Sequence, residues 1–482
     1  MLFSLLLLVS VSVLAQNGQE IKQTGYEIKV TLKPFKKEYV YLGHYFGKSY
    51  PIIDSAMLDD NSQAIFKGNA PLNGGIYLVG YPRKTGFFEI LVDRDQKFSV
   101  IADTARLTEG VKFENSKDNE LFNEYQQQMN KRGSAVNQLQ QQLKEARTKD
   151  DSTRIIAALT QADKDITDFR EALIKNNAGR LLASLLVAMR EPILTGNLKD
   201  PKTKEDSTAS YQFFKSHYWD GVNFYDGRLA YTTFFEDKLD KYFNQLVVPH
   251  PDSVIKDMDW MLGYASASPE MTRFLLIKFV NKYIYQKYMW EDAVFVHLFE
   301  KYFSNKEYTW LTEKGKKTIT DRAYSLMANI MGTPAADVLL PDSSNKMQAL
   351  YELNADFTLV VFWDPTCGHC KEVLPRLDSF YRAKWKSEKM KIYAIARETE
   401  GTRKDWLDFV NGKKLNDWVN VFYTKAEDRT RIEGGIPGYS QLYDVQSFPT
   451  LYLLDKDKRI VAKKLSVDQI DDILDVKLGK KQ

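Results

Sequence analysis

Phe362-Trp363-Asp364-Pro365-Thr366-Cys367-Gly368-His369-Cys370-Lys371 contains both cysteines of a 482-residue chain, separated by two residues. Just before it, Thr358-Leu359-Val360-Val361-Phe362-Trp363 is a nearly continuous apolar run that predicts a buried strand. Just after it, Lys371 to Lys386, with apolar Val373, Leu374, Leu377 and Phe380, predicts a helix. The cysteines therefore fall at a strand-to-helix junction. Unpaired N–H groups and the macrodipole at a helix N-terminus favour negative charge, so Cys367 is expected to have a depressed pKa and a populated thiolate near neutrality. Cys370, one turn further in, is expected to be more buried and less reactive. His369 is placed to add positive charge or a hydrogen bond to the Cys367 thiolate, which would stabilise the reduced form and make the disulfide more oxidising.

These ten residues, followed by Pro375, resemble the active-site signature of the thioredoxin superfamily. Tyr443-Asp444-Val445-Gln446-Ser447-Phe448-Pro449-Thr450-Leu451-Tyr452-Leu453-Leu454-Asp455 is similar to that family's helix end, cis-proline and following strand, which makes Pro449 the candidate cis-proline. Gly332-Thr333-Pro334-Ala335-Ala336-Asp337 to Leu340-Pro341-Asp342 resembles the lead-in of the TlpA-like branch, which includes extracytoplasmic thiol-disulfide oxidoreductases. The resemblance covers about the last 150 residues, the size of one domain. It implies an α/β thioredoxin fold over 332–482 and an enzyme that exchanges thiols and disulfides without a cofactor. Cys367 would attack, Cys370 would resolve, Trp363 would pack under the loop, and the Phe448 backbone beside Pro449 would pair with an extended client chain. Gly368-His369 is the dipeptide of protein disulfide isomerases and points to a potential nearer about −180 mV than about −270 mV. The implied partners are client proteins with disulfides or thiols and a membrane electron donor, with the enzyme acting as a reductase or isomerase.

Three departures from the family pattern bear on proton handling. Val361 stands where many thioredoxins have a buried Asp, and Val373 stands where cytochrome-maturation relatives often carry Glu. The nearest carboxylate on the helix is Glu372, which points about 100° away from that position. Thr366 replaces the aromatic residue often found before the first cysteine.

Other uses of a Cys-x-x-Cys pair fit less well. Zinc takes about four ligands, and His44, His217, His250 and His297 are scattered without a second ligand pair, so no metal is expected. An inert disulfide closing so small a loop would stabilise little. A peroxidase is a minor alternative, because Pro365-Thr366-Cys367 does not reproduce the proline-threonine spacing of peroxiredoxins.

The first 15 residues, ending Val13-Leu14-Ala15, read as a signal peptide cleaved before Gln16, which implies the periplasm or cell envelope. No Lys or Arg precedes the apolar run, and an uncleaved anchor is the alternative, although the run is shorter than the ~20 residues that span a bilayer comfortably. With 67 basic against 64 acidic residues, nucleic acid binding has no electrostatic support.

Residues 20–112 alternate in short β-rich runs at Tyr39 to Leu42, Ile76 to Val79, Phe87 to Val92 and Phe98 to Ile101, as in a small antiparallel sandwich or barrel. They resemble a β-rich module that often precedes TlpA-like domains. Tyr45, Phe46, Phe87 and Phe88 are candidates either for its core or for a binding surface. Residues 115–331 repeat apolar positions at three- and four-residue steps, so an all-α region is expected there, with Gly133 and Asp150-Asp151-Ser152 interrupting or ending helices. The competing reading of the whole chain is an envelope binding or scaffold protein whose thioredoxin-like domain is vestigial.

Overall fold

The computed structural model describes residues 25–106, 111–399 and 402–481. The signal peptide expected at 1–15 lies outside them. The described chain divides into two compact units. The first runs to Leu246 and includes Ala265–Phe274, and the second comprises Val247–Tyr264 and the chain from Leu275 onward.

The first unit begins with eight strands, β1 (Tyr26–Lys33), β2 (Tyr39–His44), β3 (Ile52–Met57), β4 (Gln63–Gly68), β5 (Gly75–Gly80), β6 (Phe87–Val92), β7 (Lys97–Asp103) and β8 (Lys112–Glu114). They form two four-stranded sheets in the orders β4-β1-β7-β8 and β3-β2-β5-β6. Ile28, Val30 and Leu32 of one sheet meet Val40, Leu42, Val79 and Ile90 of the other in a single core, which is the sandwich that the alternation predicts. It is not wholly antiparallel, because β1 and β7 run parallel with Ile28 opposite Phe98. A parallel pair needs a long crossover, and the entire second sheet lies in the chain between them. Tyr45 and Phe88 are buried, whereas Phe87 is exposed.

Two long helices follow, Lys117–Glu145 and Lys149–Asn176, with Tyr125 of one stacked on Phe169 of the other. Gly133 does not break the first. A lone glycine costs about 1 kcal/mol in a helix interior, and the 29-residue helix runs through it. Asp150 and Asp151 open the second helix instead of ending one. Thr148 caps it by accepting from the Asp151 N–H at 3.1 Å, and carboxylates in a first turn suit the positive end of the dipole.

In the second unit, helices Glu291–Tyr302 and Glu313–Met327 precede the α/β domain. A two-stranded hairpin, β9 (Leu339–Pro341) with β10 (Met347–Ala349), leads into the strands β11 (Phe357–Trp363), β12 (Met390–Arg397), β13 (Val419–Tyr423), β14 (Thr450–Asp455) and β15 (Ile460–Lys463). Their order is β13-β12-β11-β14-β15, parallel from β11 to β13 and antiparallel from β11 to β15. β11 is central and buried on both faces. Leu359, Val361 and Trp363 enter one core with Leu374, Leu377 and Trp406, while Val360 and Phe362 enter the other with Tyr393, Tyr443 and Tyr452. That is why the strand reads as a continuous apolar run rather than an alternation. The helix after it spans Gly368–Phe380 and passes into a π turn at Tyr381–Trp385. The fold class expected from the sequence, a β sandwich, then helices, then an α/β thioredoxin fold, is the one observed.

Candidate functional site

The two cysteines sit at the carboxyl end of β11, where the chain turns into the helix Gly368–Phe380. Asp364, one residue beyond the strand, shapes that turn: its Oδ1 accepts from the Thr366 N–H at 2.6 Å and the Thr366 hydroxyl at 2.5 Å. The Cys367 N–H donates to the Asp364 carbonyl at 3.2 Å. Cys367 is the N-cap of the helix, with extended backbone, and its Sγ accepts from the Cys370 N–H at 3.4 Å. A cap ordinarily supplies a side-chain oxygen to the unpaired N–H groups of the first turn, and here a sulfur does so. An anionic sulfur would be stabilised by that N–H and by the dipole behind it.

Both thiols are free, Cys367 half-buried and Cys370 fully buried. Burial pushes the Cys370 thiol far above its ordinary pKa; hydrogen bonding with the Asp364 backbone opposes that rise, and Cys367 and the charge of Asp364 add to it. The Sγ of Cys367 also lies 3.8 Å from the Phe448 carbonyl oxygen. Phe448-Pro449 is a cis peptide, so the structure brings the candidate cis-proline loop directly against the outer sulfur.

The remaining sequence-predicted residues divide into those beneath the loop and those facing solvent. Trp363 is fully buried, 5.1 Å from the Phe409 ring in the core that also holds Cys370. Gly368 is exposed with open space around it. His369 and Glu372 are both largely exposed and face each other, Nδ1 to Oε2 at 3.9 Å. Among the described residues no hydrogen bond joins His369 to the Cys367 sulfur. No group of three or more metal-ligating side chains occurs among the described residues.

Sequence reasoning passed over Asp364. It is 2% exposed, and its second oxygen, Oδ2, has no hydrogen-bond partner among the described residues. A buried carboxylate with a vacant acceptor next to the buried thiol is an expensive arrangement, because an unpaired buried polar group costs about 1–3 kcal/mol. An Asp immediately after an apolar strand and three residues before the first cysteine was the available signal. It was masked because Asp-Pro-Thr also reads as an ordinary turn.

Residues 354–460 match the family described as Thioredoxin-like. The C-terminal domain is thioredoxin-like. Residues 26–122 and 198–327 match two families described only as domains of unknown function, DUF4369 and DUF5106. The thiol-disulfide oxidoreductase ResA of Bacillus cereus is 28% identical over 134 residues, 28% of this chain and 68% of that protein. A thioredoxin-like protein from Bacteroides caccae is similar in structure at 20% identity, covering 60% of this chain and 98% of its own with a TM-score of 0.43. A domain of possible thiol-disulfide isomerase from Cytophaga hutchinsonii is 29% identical, covering 31% of this chain and 97% of its own with a TM-score of 0.27. By the match to ResA, the thioredoxin-like domain is similar to that of a thiol-disulfide oxidoreductase. No helix among the described residues is long and apolar enough to cross a membrane.

Proposed function

We propose that this protein is a thiol-disulfide oxidoreductase of the periplasm or cell envelope, exchanging electrons with client proteins through Cys367 and Cys370. One observation carries the reading. A half-exposed sulfur caps a helix N-terminus beside the Phe448 backbone, with a fully buried thiol one turn behind it. Such asymmetry separates an attacking cysteine from a resolving one.

In the reductase direction the Cys367 thiolate attacks a client disulfide, forming a mixed disulfide and releasing one client thiolate. The Cys370 thiol then loses its proton and attacks the Cys367 sulfur. The second client thiolate leaves and is protonated, and the enzyme is left with a Cys367–Cys370 disulfide. Two electrons from a dithiol donor, in this reading a membrane partner, restore the reduced state. Burial holds Cys370 protonated, so the second step needs an internal proton acceptor, and the free Oδ2 of Asp364 supplies one where Val361 and Val373 do not. His369 and Glu372, both solvent-facing, are left to tune the charge at the rim.

The test is a trapping experiment. A Cys370→Ser variant retaining Cys367 should accumulate mixed disulfides with envelope proteins, and the wild type should reduce a model protein disulfide when supplied with dithiol. Failure of both would leave the competing scaffold reading in place.

A further inference from the structure

Within the second unit, a cleft of about 390 Å³ lies between the segment Tyr285–Asp292 and the part of the thioredoxin-like domain that carries Gln446 and Lys464. We propose that this cleft is a client subsite that accepts an acidic side chain from the extended segment flanking the client cysteine. The proposal deepens the oxidoreductase reading and rests on it.

Its position follows from the geometry of the sulfur. Cys367 Sγ is 3.8 Å from the Phe448 carbonyl, and Gln446, which lines the cleft, is two residues before Phe448. Two extended residues span about 7 Å. A chain bonded through a disulfide to Cys367 and lying along this loop therefore reaches the cleft within two or three residues. The N–H groups of Gln446 and Phe448 make no backbone hydrogen bond among the described residues, so the loop offers main-chain pairing to such a chain.

The preference for negative charge follows from which charges are already satisfied. Beneath the cleft, Asp292 is paired with Lys463, and Asp444 accepts from Arg322, Ser325 and Lys464. Glu291, 6% exposed, is taken up by the N–H groups of Lys287 and Tyr288 at 2.6 and 3.0 Å. Asp292 and Asp444 are thus matched by cations, and Glu291 is held on backbone donors. At the rim Lys287 is exposed, has no ion-pair partner among the described residues, and holds its Nζ 5.3 Å from the centre of the Tyr288 ring. Tyr285 and Tyr288 are 73% and 51% exposed, and both line the cleft. An unpaired ammonium beside two tyrosines fits a carboxylate better than a lysine or an apolar side chain.

The experiment uses the mature full-length protein and three disulfide-linked peptides that differ only at the residue two positions from the cysteine, as Glu, Ala or Lys. Wild-type kcat/KM should favour Glu over Lys by about three- to tenfold and lose most of that preference at high salt, as expected for a charge at an interface rim. Lys287→Glu should reverse the order, and Lys287→Met should flatten it. Equal rates on all three peptides in the wild type, or an order that survives Lys287→Glu, would each overturn the subsite while leaving the oxidoreductase reading intact. Absence of turnover on every peptide would overturn both.

Discussion

The guanidinium of Arg322, on the helix Glu313–Met327, donates to the buried carboxylate of Asp444 at 2.6 Å, in the turn that leads to Phe448 and Pro449. Ser325, Gln446 and Lys464 also donate to Asp444, whose backbone lies at a φ of 43° that few residues other than Gly, Asn and Asp adopt readily. The helix thus fixes the start of the loop that faces the Cys367 sulfur. Arg322→Ala would strip one of two cations from a buried carboxylate that Lys464 still reaches, so the loss should fall below the roughly 3–5 kcal/mol typical of leaving a buried charge with no partner. Urea denaturation should show that loss, while the double variant Arg322→Met with Asp444→Asn, which removes the buried charge but keeps a residue suited to the positive φ, should recover a substantial part of it.

The same cluster sets a pH dependence. Burial alone would push the Asp444 carboxyl up, but Lys464 and Arg322 together outweigh it and hold the group below the usual carboxylate range. A carboxyl depressed in the folded state stabilises the fold above its unfolded pKa of about 4, and that contribution disappears as pH falls through the lower folded value. Thermal unfolding of the wild type should therefore show this contribution constant from neutral pH to about pH 5 and lost below about pH 4. Asp444→Asn should show a smaller drop over the acid range.

The two thiols should react differently. Cys367 is half-buried and Cys370 fully buried, with the Cys370 thiol held protonated by burial. Brief alkylation of the reduced folded protein at neutral pH, read by mass spectrometry, should modify Cys367 and leave Cys370 untouched until denaturant is added. Equal labelling of both would contradict the burial on which the attacking and resolving roles depend. The raised thiol also has a stability signature. Between the unfolded thiol value near 8.5 and the higher folded one, the reduced wild type should lose about 1.4 kcal/mol per pH unit as pH rises, a slope absent from Cys370→Ser.

How far the chain could be read depended on whether the deciding interactions are local. β11 and the helix after it were legible because Leu359 to Trp363 are buried on both faces and the capping cysteine is adjacent in sequence. The parallel pairing of β1 with β7 was not, since it joins residues about 70 positions apart whose alternation is the same for either strand direction. His369 is two residues from Cys367 in sequence, yet it faces Glu372, because residues three apart on a helix share a face and residues two apart do not. The attachment of Asp444 to Arg322 spans 122 residues, and no local pattern encodes it.

Asp364 separates a structural role from a chemical one. Asp364→Asn keeps an oxygen that can accept from the Thr366 N–H and hydroxyl, so the turn should survive, but it removes the acceptor proposed for the Cys370 proton. General-base assistance usually contributes on the order of 10²–10⁴ in rate. Stopped-flow measurement of mixed-disulfide resolution should show a slower step at neutral pH, by at least about tenfold, recovering as pH rises toward the Cys370 pKa. Alkylation of Cys367 should be little changed. A purely structural role would lower the rate uniformly and leave the shape of the pH profile as in the wild type.

Asn119 tests how the β sandwich is completed. Fully buried near the start of the helix Lys117–Glu145, it donates to the Leu91 carbonyl at 2.7 Å and accepts from the Leu91 N–H at 2.8 Å, pairing with β6 as a neighbouring strand would. An amide side chain can do this because it carries both a donor and an acceptor in one plane. Asn119→Ala would strand both Leu91 groups, and each unpaired buried polar group costs about 1–3 kcal/mol, so a loss of about 2–4 kcal/mol is expected. Asn119→Asp should also destabilise, because it restores the acceptor but presents no donor to the carbonyl. Hydrogen exchange offers the sharper reading: in either variant the amides of β6 should lose protection while those of β11 are unchanged, whereas a uniform loss across both strands would mean that Asn119 supports the fold by packing and not by closing the sheet edge.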